Sequence, residues 1–141
     1  MKYEINSDGR IVALKKGLWG DVGTIGGFVE SEKNLSQYGN CWIFDDARVS
    51  DNAHIFGYAQ VFDDAQVSGN AKVFDDACVF GDAKVSGNAW IFDNAQVFGD
   101  SQVSGNAEVS GYAKVSGTMK IKKSYNSPVN IEEISDELVL L

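Results

Sequence analysis

Residues 59–76 read Ala59-Gln60-Val61-Phe62-Asp63-Asp64, Ala65-Gln66-Val67-Ser68-Gly69-Asn70, Ala71-Lys72-Val73-Phe74-Asp75-Asp76. Each line of six carries a small residue first, a β-branched residue third and a turn pair last. Working outward, fourteen hexads run without interruption from Cys41 to Ser124, with a turn pair in all but the last. The third position is Val or Ile in all of them, and the first is Ala except at Cys41, Ser101 and Met119. In an extended strand alternate residues face opposite sides, so the first and third positions point inward together, while the second and fourth point outward. Gly, Asn and Asp at positions five and six tolerate the backbone angles of a tight corner. Strands this short bury nothing alone, but stacked coils satisfy one another's backbone hydrogen bonds.

The fourth position sets the number of sides. Phe44, Ser50, Phe56 is followed by Phe62, Ser68, Phe74 and by Phe80, Ser86, Phe92, so the triplet returns with every third hexad through three coils. Three strands per coil produce that period; four do not. The expected architecture is an all-β, three-sided parallel β-helix of about four and a half coils. Residues 1–40 form an N-terminal hairpin and capping coil, 41–122 the repeat, and 123–141 a C-terminal tail. The hairpin is expected from Lys2 to Ile5 and from Ile11 to Leu14, on either side of Asn6-Ser7-Asp8-Gly9-Arg10, guarding the open edge of the first coil. In the tail, Ile131, Ile134, Leu138 and Leu141 follow Pro128 at a spacing that predicts a short amphipathic helix, as a cap or an oligomer contact.

The pattern resembles the left-handed β-helix of hexapeptide-repeat proteins, and that resemblance implies the handedness. The stretch Gly26-Gly27-Phe28-Val29-Glu30-Ser31-Glu32-Lys33-Asn34-Leu35-Ser36-Gln37, followed by Gly39-Asn40-Cys41-Trp42-Ile43, resembles the leading segment of a group of phage and bacterial proteins that place such a stretch before Gly-Asn-Ala-type hexapeptides. The resemblance implies a phage setting and brings no established activity with it.

Charge narrows the function. The chain carries a formal net charge of -8, and a groove gripping nucleic-acid phosphates needs clustered Lys and Arg, so direct nucleic-acid binding is not expected. The repeat is the acidic part: residues 41–121 hold ten Asp and one Glu against five Lys and Arg, while residues 1–40 balance. The corner Asp residues are read as turn formers and solubilising groups, so no metal site is expected, although stacked carboxylates could collect Ca²⁺. No apolar run has the length of a signal peptide or membrane span, and the expected localisation is cytoplasmic, without membrane contact. Cys41 and Cys78 occupy different repeat positions and are read as structural thiols, not a disulfide.

The best-known enzymes of the resembling fold are acyltransferases, which use a histidine base and often a loop extruded from a corner. Here the only histidine, His54, is at an outward position and no insertion breaks the hexads. No catalytic residue and no cofactor are assigned, and a hexapeptide-type acyltransferase is the runner-up. The preferred expectation is a non-enzymatic, oligomeric binding module. Phe44, Phe62, Phe80 and Phe98 form one outward column, assigned to an interface between copies in a trimer or dimer, and Phe56, Phe74 and Phe92 form a second. Exposed apolar columns of this extent need a cover. Together with Trp42, His54, Lys72 and Trp90 at second positions, the second column is assigned to a partner, either a host protein or a small nucleotide ligand held by stacking and charge. A nucleotide-signal sponge, or an acidic mimic of nucleic acid that counters host defence, is the third possibility.

Overall fold

The computed structural model describes residues 1–123 and, beyond them, the backbone of three short strands at Tyr125–Asn126, Asn130–Ile131 and Glu137–Leu138. It is a three-sided parallel β-solenoid of about five turns, consistent with a left-handed β-helix. Each hexad contributes one strand, and each strand pairs in parallel with the strand three hexads on: Val61 is opposite Val79, Val79 opposite Val97, and Val67 opposite Val85.

Three sheets result. The serine face stacks Arg48–Val49, Gln66–Val67, Lys84–Val85, Gln102–Val103 and Lys120–Ile121. The first phenylalanine face stacks Trp42–Ile43, Gln60–Val61, Cys78–Val79, Gln96–Val97 and Lys114–Val115. The second stacks His54–Ile55, Lys72–Val73, Trp90–Ile91 and Glu108–Ser110. The inward residues form one continuous core in which every Ala and every Val or Ile from Ala47 to Ile121 is essentially excluded from water. Ser101 replaces an alanine there without an unpaired hydroxyl, because Oγ donates to the Phe98 carbonyl at 2.7 Å.

The corners explain the acidic columns. Five aspartates, Asp45, Asp51, Asp63, Asp75 and Asp93, have φ near +56°, the left-handed region that side chains disfavour. In each, Oδ2 accepts the backbone N–H of the equivalent corner residue one coil on, at 2.9–3.2 Å. The carboxylate thus ties one coil's corner to the next and offsets its own backbone strain. Beside the serine face Asn52, Asn70, Asn88 and Asn106 form an amide ladder, each Nδ2 donating to the next Oδ1 at 3.2 Å. The ladder begins at Lys33, whose ammonium donates to Asn52 Oδ1 at 2.7 Å.

At the N-terminus, strand β1 (Tyr3–Ile5) and strand β2 (Arg10–Ala13) form the expected hairpin, with Tyr3 opposite Ala13 and Ile5 opposite Ile11. Its turn is closed by Asn6 Oδ1, which accepts from the Asp8 and Arg10 amides. β2 pairs antiparallel with β3 (Ile25–Val29), and β3 pairs in parallel with Arg48–Val49, so the hairpin extends the serine sheet over the first coil's edge. The new edge at β1 is covered in turn: Gln37 Oε1 accepts the Lys2 and Tyr3 amides and Nε2 donates to the Tyr3 carbonyl. A strand edge closed by a side-chain amide offers little to another chain's strand.

The C-terminal helix expected around Ile134 and Leu141 falls largely outside the described residues. Where its span is described, at Asn130–Ile131 and Glu137–Leu138, the backbone is strand, paired with Lys114–Val115 and Lys120–Ile121. The coil edge left open by the last full hexads attracts backbone pairing there more strongly than the apolar spacing favours helix. Among the described residues no helix is long and apolar enough to cross a membrane.

Candidate functional site

Stacking at the solenoid rise, about 4.8 Å per coil, brings like positions into columns. On the second phenylalanine face Phe56, Phe74 and Phe92 stack with centroids 4.8 and 5.1 Å apart and planes within 3°. On the first, Phe62, Phe80 and Phe98 stack at 4.7 and 4.8 Å in the same way. Within each stack the facing rings cover one another, and each phenylalanine is half-buried. The alternation that points these side chains outward is observed, and the rings stand in the two columns that the repeat predicts. Phe44 heads the first column and also packs against the core, and a shallow depression of about 240 Å³ lies between it, Asp45, Gln60 and Phe62.

Of the second-position residues, His54, Lys72 and Trp90 are successive neighbours on the second phenylalanine face. Trp90 is 40% exposed, stands edge-on to Phe74 at 78°, and lies 5.5 Å from the Lys72 ammonium. It breaks the flatness of the face and adds an indole wall beside a cation. His54 stacks on Phe56 at 4.8 Å, and its Nδ1 is 2.6 Å from the Lys33 carbonyl. A carbonyl only accepts, so Nδ1 carries the proton of this contact.

Trp42 does not join this group. It belongs to the other phenylalanine face, opposite Gln60, and is 1% exposed. Its place in a different column follows from the three-hexad period, which carries Trp42 onto Gln60 and His54 onto Lys72 and then Trp90. Its burial is due to a segment without any repeat: Trp19 stacks on it at 5.0 Å and Tyr3 meets it edge-on at 6.3 Å. Trp19, Tyr3 and Lys2 are the residues of this region that sequence reasoning missed. Burial, more than the charge of Glu32 or Cys41, pushes the Tyr3 hydroxyl far above the ordinary tyrosine range, while burial pulls the Lys2 ammonium down.

Both cysteines are free, Cys41 buried and Cys78 half-buried. Cys78 sits on the first phenylalanine face between Gln60 and Gln96, and burial, then the charge of Asp76, raises its thiol pKa. On the serine face the ring of Phe28 is sandwiched by the guanidinium groups of Arg10 and Arg48, at 4.1 and 4.0 Å. Among the described residues no three or more His, Cys, Asp or Glu side chains are grouped so as to hold a metal ion.

These features define a parallel β-solenoid with two aromatic faces and one polar face. No known protein family matches the chain, and no curated protein matches it either.

Proposed function

We propose that this protein is a non-enzymatic binding module that associates with copies of itself along its phenylalanine strips and holds a host protein or a small ligand on the second phenylalanine face. The observation that carries the reading is the pair of ring columns on adjoining faces, each ring only half-buried within a single chain. Six of the rings are stacked nearly parallel with centroids 4.7–5.1 Å apart, so the strips suit another flat, rigid face such as a second solenoid's. The exposed part of each ring, removed from water, contributes on the order of 1 kcal/mol, and the seven rings act together against the ordering cost of association. The outward Trp90 and Lys72 supply stacking and charge for a ligand such as a nucleotide. The resemblance of residues 26–43 to the leading segment of phage proteins supports a phage setting, and a cytoplasmic location belongs to the same reading.

Sedimentation velocity of the Phe62→Ser/Phe74→Ser/Phe80→Ser variant is the test. Serine already occupies the fourth position elsewhere in the repeat, so the coil should persist with unchanged circular dichroism. A lower assembly mass is the expected result. A folded variant of the same oligomeric mass as wild type overturns the self-association reading.

A further inference from the structure

At the top of the first phenylalanine face the N-terminal segment fills a place that the repeat would leave open. Trp42 has the outward position of its strand, yet Trp19 lies almost parallel on it, at 5.0 Å and 19°. Tyr3 closes the slot edge-on. The Lys2 ammonium stands 5.2 Å from the Trp19 ring, anchored by the carbonyls of Tyr38, Gly39 and Cys41. Trp19 thus occupies a slot with an aromatic floor and a cationic side, on the same face as the depression lined by Phe44 and Gln60.

Beyond these ring and cation contacts and its packing against the core, Trp19 is held only from within its own segment. Its indole N–H donates to the Lys15 carbonyl, Gly17 pairs with Gly20, Thr24 Oγ1 donates to the Asp21 carbonyl and Lys16 approaches Asp21. All of these bonds stay within residues 15–24, and among the described residues no hydrogen bond or ion pair ties residues 15–22 to the hexad coils. The same loop leaves Leu18 and Val22 at 74% and 66% exposure, turns at Gly20 with φ of +131°, and ends at Gly23, whose amide donates to the Ala13 carbonyl. Segments with few buried contacts open locally at low cost. The closed arrangement also leaves the buried Trp42 Nε1 without an acceptor.

We infer that Trp19 is an intramolecular occupant of a binding site for a planar, electron-rich aromatic group, which takes its place over Trp42 when the loop of residues 15–22 opens. The class follows from the slot: Trp42 stacks on a flat ring, and an ammonium beside it favours the negative face of a π-system. Indole, the group Trp19 itself inserts, is the matching probe.

The experiment is a titration of ¹⁵N-labelled full-length protein with unlabelled indole, following the three indole N–H signals, assigned with Trp→Phe variants. The Trp19 and Trp42 signals should move together and saturably while Trp90 stays fixed. Trp19→Gly, which removes the competing occupant, should bind indole on the order of tenfold more tightly. No movement of Trp19 and Trp42 up to the solubility of indole, movement of Trp90 alone, or binding confined to Trp19→Gly would each overturn the inference, the last by making Trp19 a permanent part of the core.

Discussion

Replacing Asp63 separates the two things that a corner aspartate does. Its backbone is left-handed at φ 56°, and its Oδ2 accepts the Gly81 amide at 3.0 Å. Asp63→Ala loses the charge-assisted bond, about 1 kcal/mol for an exposed pair, and keeps a left-handed alanine that costs about 1 kcal/mol more. The sum is a destabilisation of roughly 2 kcal/mol. Asp63→Gly loses the same bond but sheds the steric cost, so the two terms nearly cancel; the same corner already has glycine at Gly81 and Gly99. Asp63→Asn keeps both an acceptor and tolerance of the left-handed region, and should fall between. Urea midpoints at unchanged m-value give the order directly. If Asp63→Gly were as destabilised as Asp63→Ala, the carboxylate bond alone would matter and the backbone argument would fail; if Asp63→Ala matched wild type, both parts would.

Two further perturbations examine the core and the N-terminal cap. Val79 is fully buried with Val61 and Val97 as its neighbours above and below, so Val79→Asp, which strands a charge among apolar groups, should cost more than about 4 kcal/mol; a urea midpoint equal to wild type would show that the inward register is wrong. Tyr3 donates its hydroxyl to the Leu35 carbonyl at 2.5 Å and must stay neutral to remain buried. An acid whose folded pKa is raised contributes stability in full below its unfolded value, near 10, and loses it as pH rises further. Lys2 acts in the opposite sense but equally in both proteins, so the stability advantage of wild type over Tyr3→Phe should shrink as pH rises above about 10 in urea titrations, and a constant difference would refute the linkage.

The period of the chain was enough to place most of the scaffold. Ala and Val or Ile two apart, a turn pair after each strand and the Phe44-Ser50-Phe56 triplet returning with every third hexad lead to three parallel sheets with the first and third positions inside. Asn6-Ser7-Asp8-Gly9-Arg10 between two short apolar stretches leads to the hairpin. Strand alternation and corner chemistry are local rules, and a repeat applies the same local rule many times, so errors do not accumulate. The C-terminal tail shows where this ends: Ile131 and Leu138 suit a helix by spacing, but the backbone there pairs with the preceding coil.

What only the tertiary structure decided lies where the repeat meets something else. The phenylalanine columns are outward by alternation, but how much of each ring remains exposed depends on the side-chain torsions of neighbouring coils, which turn the rings face to face. The corner aspartates are legible as turn residues, whereas their bond to an amide of the next coil requires that coil to be stacked in place. Trp42 is the clearest instance. Its hexad position says outward, and it is outward relative to its own strand; it is buried because a glycine-bearing loop without periodicity returns to lay Trp19 across it, a long-range contact that no local pattern encodes.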